Sequence, residues 1–338
     1  MQSLLLEKPG QLRVVERARA AAPGAEDVRV RVRCSGVCGT DLHAFAGRQP
    51  LFTYPRVPGH ELAVEVVELG AAVTTLRVGD RGAVEPYLEC GECGACRRGR
   101  TNCCAALTVL GVHVDGGWTE ELVVPARKVH VSSRLTLEQL ALVEPLGIGA
   151  HAVARGAVEK DEGVVVVGAG PIGLAVTQFA KAAGARVTVL DVSAARRAFV
   201  GQWLGVATLD AADLSTADAL RERLGGELPT VVFDATGNAA AMQQSFAWPA
   251  AAGRLVLVGL VQGELAFDDP AFHRRELSVL ASRNSTAADF RGIIAMIEAG
   301  RIDTQAWVTH RAALAEVPEV FARWTRPETG VIKAMIAL

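Results

Sequence analysis

The spacing of hydrophobic and polar residues changes near residue 147 of this 338-residue chain. Before that point, short apolar runs are interrupted by Gly or Pro about every ten residues, a pattern typical of a small β barrel or sandwich. The clearest runs cover residues 28–34, 63–69 and 81–84. We therefore predict a β-rich first domain.

Beyond residue 147, strand-like and helix-like segments alternate. Patterns of buried strands occur at residues 163–167, 186–191, 230–234, 254–259 and 276–281. Helical spacing of apolar residues occurs between them, at residues 172–183, 194–204, 217–224 and 239–246. Such alternation predicts an α/β fold with a parallel, doubly wound sheet.

The C-terminal segment departs from this alternation. A helical pattern covers residues 288–299, and the chain ends in V-I-K-A-M-I-A-L, which predicts a strand that rejoins the first domain. We therefore predict two domains: residues 1–146 together with the returning segment 287–338, and residues 147–286.

Composition excludes several classes of function. The net charge of −2, the apolar fraction of 50% and the absence of a basic run argue against a nucleic-acid or anionic-membrane partner. The start of the chain is too weakly apolar for a signal peptide, and no apolar run reaches the roughly 18 residues of a membrane span. We expect a cytoplasmic protein.

The run C-G-E-C-G-A-C-R-R-G-R-T-N-C-C offers a cluster of thiolates from residues 90–104. Four sulfur ligands at this spacing suit a tetrahedral zinc ion, and Cys90, Cys93 and Cys96 are three of them. Either Cys103 or Cys104 is the fourth on spacing alone. A disulfide framework is the alternative, but seven cysteines and no secretory signal argue against it.

The segment G-A-G-P-I-G follows the apolar strand V-V-V-V and opens a helix, as in dinucleotide-binding folds. It makes a set of candidate pyrophosphate-binding residues: Gly168, Gly170, Pro171, Ile172 and Gly173.

Asp191 ends the next predicted strand, where a carboxylate would bind the adenosine ribose and repel a 2′-phosphate. This favours NAD over NADP. Arg196 and Arg197 weaken that preference, since an arginine there can accommodate the phosphate. Alternatively, Asp191 caps the following helix.

A second set of metal ligands comes from separated segments: Cys38 in C-G-T-D-L-H, His60 and Glu61 in P-G-H-E, and Glu144 in L-V-E-P-L-G. A thiolate, an imidazole and a carboxylate supply the three protein ligands of a catalytic zinc with an open position. Taken singly, each has a structural alternative, such as a buried thiol, a loop histidine or a helix cap. Asp41 fits a carboxylate that orients a ligating histidine, or a turn aspartate.

Together these motifs resemble the zinc-dependent medium-chain dehydrogenases/reductases of the alcohol, sorbitol and threonine dehydrogenase group, over essentially the whole chain. The matching motifs are V-C-G-T-D-L-H, V-P-G-H-E, the cysteine run, V-E-P-L-G and V-V-V-V-G-A-G-P-I-G. The resemblance implies a GroES-like domain, a Rossmann cofactor domain, catalysis in the cleft between them, and two zinc ions per chain.

The resemblance also implies roles for individual residues. Cys38, His60 and a carboxylate hold the catalytic zinc, and either Glu61 or Glu144 is that carboxylate. Glu144 stands where other alcohol dehydrogenases have a second cysteine, which is similar to the polyol and threonine branch. The structural zinc takes Cys104 in preference to Cys103.

The implied reaction is reversible oxidation of a secondary alcohol, in which zinc polarises the hydroxyl and hydride passes to the nicotinamide. Thr40 and His43 match the family's proton relay, and Glu61 takes part in the same catalytic set. The relay would carry the hydroxyl proton from Thr40 through the nicotinamide ribose toward His43 and solvent.

Substrate identity depends on fewer residues. Arg283 and Asn284 follow the last strand-like run, where strand ends of a doubly wound sheet face the ligand. The S-R-N stretch is similar to family members that act on sugar acids such as galactonate. Arg283 would pair with a carboxylate or bind vicinal hydroxyls, or it has a structural role at a domain interface. We expect a polyol, sugar or sugar-acid substrate.

Two other functions remain open at this point. One is an L-threonine or simple alcohol dehydrogenase, whose motifs would be the same. The other is a non-catalytic NAD-binding regulatory protein, against which the joint presence of the catalytic residues argues. A homodimer or homotetramer is expected, with the strand at residues 276–281 as a candidate contact.

Overall fold

The computed structural model describes residues 1–50, 52–214 and 217–338. The chain forms two compact units. The first unit consists of Met1–Pro145 and Ser285–Leu338, and the second unit consists of Leu146–Asn284.

The strands of the described residues are β1 Gln2–Lys8, β2 Gln11–Glu16, β3 Asp27–Val37, β4 Glu61–Leu69, β5 Arg81–Val84, β6 Tyr87–Leu88, β7 Thr108–Val109, β8 Glu121–Pro125, β9 Val129–Val131, β10 Gly163–Val167, β11 Arg186–Asp191, β12 Ala207–Asp210, β13 Val231–Asp234, β14 Arg254–Leu257, β15 Ser278–Ala281, β16 Val308–Ala313 and β17 Lys333–Ala337. The α-helices are α1 Gly39–Phe45, α2 Gly94–Arg97, α3 Leu137–Ala141, α4 Val143–Arg155, α5 Pro171–Ala182, α6 Ala194–Leu204, α7 Ala217–Arg223, α8 Ala239–Ser245, α9 Asp269–Arg274, α10 Ala287–Glu298 and α11 Val317–Trp324. Short 3-10 helices cover Thr101–Cys103, Ala126–Lys128, Ala211–Asp213, Leu314–Glu316 and Pro327–Thr329.

The first unit is built on a curved run of strands in the order β16-β17-β3-β4-β5-β9, with β8 also pairing with β3. Strand β17 pairs antiparallel with β3, with Ala334 opposite Val37. The C-terminal strand β17 therefore lies in the sheet of the first unit. Alternating buried residues of β3 and β4, such as Val30 and Val64, form the core on one face.

The second unit is an α/β fold with the parallel strand order β12-β11-β10-β13-β14-β15. Strand β10 is buried almost completely, which explains its unbroken run of valines. The chain runs outward from β10 to β11 in one direction and to β13 in the other. Ligands of doubly wound sheets bind at such a switch point, outside the carboxyl ends of the strands.

The predicted strand at 276–281 begins two residues late. Glu276 has a left-handed φ of 49°, and the strand starts at Ser278 after Leu277 has turned into the core. A residue with a positive φ cannot continue a β-strand, and the hydrophobic pattern of the sequence does not reveal the φ of Glu276.

Helix α4 was not predicted, because Pro145, Gly147 and Gly149 argue against a helix. Pro145 lies in its first turn, where proline is tolerated. A Cβ on Gly149 would lie 2.4 Å from that of Ala175, so the glycine allows α4 to approach α5 closely. The packing of α4 against α5 therefore offsets the low helix propensity of its proline and glycines.

Candidate functional site

The first unit brings Cys38, His60 and Glu61 together. Cys38 follows β3 and is the N-cap residue of α1, whereas His60 and Glu61 stand at the start of β4. Because β3 and β4 are antiparallel neighbours, the end of one strand lies beside the start of the other. One ligand atom from each residue lies within 4.8 Å of the other two. A sulfur, a nitrogen and an oxygen at this spacing match a catalytic zinc site.

Asp41 connects Cys38 to His60. Its Oδ2 accepts a hydrogen bond of 2.9 Å from the backbone N–H of Cys38, which closes the first turn of α1. Its Oδ1 lies 3.8 Å from Nδ1 of His60, and both atoms are buried without another hydrogen-bond partner among the described residues. The carboxylate of Asp41 therefore lies beside Nδ1 of His60. A histidine that binds a metal through one ring nitrogen commonly donates a hydrogen bond from the other nitrogen to such a carboxylate.

Glu61 is held by a lysine. The ammonium of Lys333 donates hydrogen bonds of 2.6 and 2.8 Å to the two carboxylate oxygens, and a third of 3.1 Å to the carbonyl of Val37. Glu61 is fully buried, and Lys333 is 2% exposed. The two charges therefore compensate each other in the interior.

Glu144 lies in the first turn of α4 and accepts a hydrogen bond from the Tyr87 hydroxyl. Burial raises the pKa of Glu144 to about 7, and the nearby Glu61 carboxylate adds to that effect, whereas His60 opposes it. Burial and the Glu144 carboxylate raise the pKa of Tyr87 well above its ordinary value, so the phenol stays a proton donor.

Negative charge accumulates around His60. Burial by itself lowers the pKa of His60, but Asp41, Cys38 and Glu144 together outweigh burial and raise that pKa well above its ordinary value. The surroundings therefore favour a cation at this place. The buried Oδ1 of Asp41 and Nδ1 of His60 have no hydrogen-bond partner in the part of the chain that the structure describes, and with them this donor set fits a zinc ion.

Thr40 and His43 lie on α1, three residues apart and so on the same side of the helix. Thr40 is half-buried and His43 is exposed. The helix thus carries Thr40 two residues after Cys38 and exposes His43 to solvent.

The cysteine run folds into a second cluster, in which the sulfurs of Cys90, Cys93, Cys96 and Cys104 all lie within 4.8 Å of one another. Sγ–Sγ distances are 3.5 Å for Cys93 and Cys96 and 3.4 Å for Cys104 and Cys90. These distances exceed the roughly 2.05 Å of a disulfide bond.

Backbone N–H groups point at this cluster. Hydrogen bonds from Ala105 and Cys96 lower the pKa of the Cys93 thiol to about 6, which favours the thiolate that a metal needs. Cys103 is exposed and lies outside the cluster.

In the second unit, the glycine loop links β10 to α5. Gly168 has a left-handed φ of 98°, and Gly170 is the N-cap of α5, with Pro171 and Ile172 in its first turn. A Cβ on Gly173 would lie 1.7 Å from the carbonyl oxygen of Gly168, so only glycine fits there. The N–H groups of α5 are thereby presented to a ligand beside the loop.

A cavity of about 710 Å³ opens beside this loop. The wall includes Gly168, Gly170, Asp191, Arg196 and Thr236, at the carboxyl ends of β10, β11 and β13. Its volume and position suit a dinucleotide.

Asp191 braces the loop instead of capping α6. Its carboxylate accepts hydrogen bonds of 2.7 Å from the N–H groups of Ala169 and Ser193, and the cap of α6 is Ser193. The helix-cap alternative for Asp191 was therefore wrong. Arg197 forms an ion pair of 2.7 Å with Asp210, whereas Arg196 lines the cavity.

Arg283 and Asn284 follow β15 at the end of the second unit. Arg283 is exposed, and Asn284 has a left-handed φ of 52°. The Nδ2 atom of Asn284 is buried and makes no hydrogen bond within the described residues. Substrate binding by these two residues stays a prediction.

Sequence reasoning missed Tyr87 and Lys333. Lys333 carried a usable signal, because a lysine within the apolar run V-I-K-A-M-I-A-L needs a buried counter-charge if the run is a core strand. Tyr87 carried none, since one tyrosine after a proline has no distinctive pattern.

The fold and these two clusters define a zinc-binding dehydrogenase. The alcohol dehydrogenase GroES-like domain family matches residues 24–134, and the zinc-binding dehydrogenase family matches residues 171–299. The chain is 41% identical to the L-galactonate-5-dehydrogenase of Escherichia coli strain K12, over 99% of this chain and 98% of that protein. It therefore belongs to the zinc-dependent medium-chain dehydrogenase/reductase family, as the motifs predicted.

Solved structures agree. An Escherichia coli CFT073 protein described as a short chain alcohol dehydrogenase, in complex with NADH, superposes with a TM-score of 0.93 at 31% identity, covering 100% of this chain and 99% of that one. A zinc-binding dehydrogenase of Sinorhizobium meliloti 1021 bound to NADP has a TM-score of 0.91 at 30% identity, with the same coverage of the two chains. The predicted GroES-like and Rossmann architecture is confirmed.

No helix within the described ranges is both long and apolar enough to cross a lipid bilayer.

Proposed function

We propose that this enzyme oxidises a secondary alcohol of a polyol, sugar or sugar acid to the ketone and transfers the hydride to NAD. The observation that carries the proposal is the cluster of Cys38, His60 and Glu61. It occurs in a chain that matches an L-galactonate-5-dehydrogenase over 98% of that protein's length.

Two zinc ions per chain are proposed, one for each cluster of ligand atoms. Cys38, His60 and a carboxylate from Glu61 or Glu144 would hold the catalytic ion, and the four clustered cysteines would hold the structural one. Zinc bound at the catalytic site supplies Lewis-acid polarisation of the substrate hydroxyl. The Sγ–Sγ distances of 3.4 and 3.5 Å in the cysteine cluster are too long for disulfide bonds, which supports a bound metal ion there.

Proton removal is assigned to α1. With the coenzyme bound, Thr40 would accept the hydroxyl proton, and His43 at the exposed side of the same helix would release a proton to solvent. Asp41 orients the imidazole of His60 and closes the turn that holds Cys38. The three polar residues of this short helix, Thr40, Asp41 and His43, would therefore act on the proton, the metal ligand or the turn.

NAD is the proposed coenzyme. The buried carboxylate of Asp191 lines the cavity and retains lone pairs for a ribose hydroxyl, since two of about four are used by backbone N–H groups. Its negative charge disfavours a 2′-phosphate. Arg196 in the same wall is the residue through which NADP would be accommodated.

A sugar acid is the preferred substrate class, and L-galactonate is the first compound to test. The exposed guanidinium of Arg283 fits a carboxylate bidentately. The buried Nδ2 of Asn284, which makes no hydrogen bond to any described residue, can donate to a hydroxyl. L-Threonine and simple alcohols are the alternative substrates of the same reaction.

A substrate panel tests the proposal through NADH absorbance. L-Galactonate, other sugar acids, neutral polyols, L-threonine and a simple secondary alcohol are compared with the purified enzyme. Arg283→Ala should lower kcat/KM for the acids by about tenfold or more and leave neutral polyols nearly unaffected. Arg274→Ala, another exposed arginine of the second unit, is the matched control.

Equal losses on acids and polyols in Arg283→Ala would argue against carboxylate recognition. No turnover of any alcohol by enzyme that contains zinc would overturn the proposed reaction.

A homodimer or homotetramer in the cytoplasm is also proposed. Strand β15 is an edge strand of its sheet, and its Val279 is 37% exposed, which supports a contact between copies there. Free thiolates that bind a metal require a reducing compartment, which supports the location.

A further inference from the structure

Asp234 is a fully buried acid at the carboxyl end of β13. Its Oδ1 atom accepts hydrogen bonds of 2.9 Å from the N–H and 2.6 Å from the hydroxyl of Thr236. Its Oδ2 atom accepts a hydrogen bond of 2.8 Å from the hydroxyl of Ser245. All three donors are neutral, so hydrogen bonds alone satisfy this carboxylate in the interior.

The hydroxyl of Thr236 connects the carboxylate to the turn that follows β13. Its Oγ1 atom donates to Asp234 and accepts a hydrogen bond of 3.1 Å from the N–H of Asn238, which is the N-cap residue of α8. One bond given and one received fix the position of Oγ1. Because Oγ1 and Cγ2 of a threonine are attached to the same carbon, fixing the hydroxyl also fixes the direction of the methyl group.

That methyl group packs beside the glycine loop. A Cβ at Gly168 would lie 3.3 Å from Cγ2 of Thr236. The two loops meet because β10 and β13 are neighbouring parallel strands whose carboxyl ends lie side by side. Gly168 and Thr236 both line the cavity of about 710 Å³. One side chain therefore links the buried carboxylate of Asp234 to the wall of this cavity.

The second oxygen of Asp234 acts on a different element. Ser245 is a fully buried residue at the end of α8, and its hydroxyl also lies 3.0 Å from the carbonyl oxygen of Ala241. The start of α8 has its own bond, of 3.1 Å from the N–H of Ala241 to the side chain of Asn238. The carboxylate thus has two separable arms: Oδ1 reaches the cavity wall, and Oδ2 reaches the end of the helix.

We propose that Asp234 is a positioning residue for the coenzyme: through its bonds to Thr236, it fixes the methyl group of that threonine against the glycine loop and holds the cavity wall in its binding shape. A wall that is ordered before binding lowers the conformational entropy lost when the ligand enters. This inference rests on the coenzyme site proposed above and adds to it a residue that acts from behind the wall.

Binding of NADH, followed by its fluorescence without substrate, tests this role independently of turnover. Asp234→Ala and Thr236→Val should each raise the Kd for NADH by about tenfold, because each removes the hydrogen bond between the threonine hydroxyl and the carboxylate. The double variant Asp234→Ala/Thr236→Val should bind NADH about as weakly as either single variant, because both changes break the same contact.

Two further variants separate positioning from a general effect on folding. Asp234→Asn should restore most of the affinity, because its amide oxygen can accept from Thr236 while its amide nitrogen donates to Ser245, whose hydroxyl then turns to Ala241. Ser245→Ala is the matched control, since it removes only the Oδ2 bond. Its melting temperature should fall by several degrees, whereas its Kd for NADH should change by no more than about twofold.

Steady-state kinetics give a second readout. Thr236→Val should raise KM for NAD by about tenfold and leave kcat within about twofold of wild type, since the lost interaction serves coenzyme binding and not the chemical step. A loss of folded enzyme would lower kcat instead.

Wild-type affinity for NADH in folded Asp234→Ala or in Thr236→Val would overturn the inference, as would equal losses in Thr236→Val and Ser245→Ala. Additive losses in the double variant would also contradict it. If Asp234→Ala does not fold, the comparison of Thr236→Val with Ser245→Ala decides. Failure of the wild-type enzyme to bind NADH would instead refute the coenzyme site itself, so the two failures are distinguishable.

Discussion

The two cysteine-containing regions of the first unit are built in different ways. The cluster at residues 90–104 takes all its sulfurs from one short stretch of chain, whereas the other gathers Cys38, His60 and Glu61 from the end of β3 and the start of β4, with Glu144 of α4 acting on His60. The first needs only local turns to form. The second exists only when the sheet has folded, and buried partners such as Lys333 and Tyr87 then hold its carboxylates. We expect the first to govern stability and the second to govern chemistry.

The sharpest test of this difference is His60→Ala. Loss of the metal's Lewis-acid effect, which amounts to several kcal/mol, should lower kcat/KM by about 10³-fold or more. Zinc content should fall by one equivalent. Steady-state kinetics and elemental analysis check the two effects. Retention of near-normal turnover would show that this cluster does not perform the chemistry.

Thr40→Val separates the proton route from the metal. The variant keeps the shape of the side chain but removes the hydroxyl, so alcohol oxidation should slow by about 10²-fold with zinc content intact. Steady-state rates across pH are the measurement. If oxidation proceeds at the wild-type rate, Thr40 has no part in the relay.

Asp191→Ser addresses the second unit. Without the carboxylate, the ratio of kcat/KM for NAD to that for NADP should fall about tenfold, because a hydrogen bond to a charged group contributes about 1.5–3 kcal/mol. Arg196→Ala should change the ratio in the opposite direction. An unchanged ratio in Asp191→Ser would contradict the ribose assignment.

The smallest effect on chemistry is expected from Cys93→Ser. Loss of the structural zinc should lower the melting temperature by several degrees, since 1 kcal/mol corresponds to about 2–4 °C for a domain of this size. Specific activity per bound catalytic zinc should change by no more than about twofold. Cys103→Ser, with its exposed thiol outside the cluster, is the matched control. A large loss of activity per catalytic zinc would contradict the division between the two regions.

Much of the second unit was predictable because its signals are local. The strands at 163–167 and 186–191 and the helix at 194–204 match the structure at both ends, and the glycine loop lies between β10 and α5 as expected. Each element is set by a few consecutive residues, such as Gly173 beside the carbonyl of Gly168. Elements that depend on distant packing, such as α4 with its proline and glycines, were missed.

The amino-acid sequence alone determined the family, the parallel sheet, the glycine loop and the cysteine cluster, because those features depend on residue types at short spacings. Only the tertiary structure decided which buried partners the two glutamates have. Lys333 lies 272 residues from Glu61, and Tyr87 lies 57 residues from Glu144. Such pairs arise because a buried charge requires a partner, and the folded sheet determines which side chain is within reach.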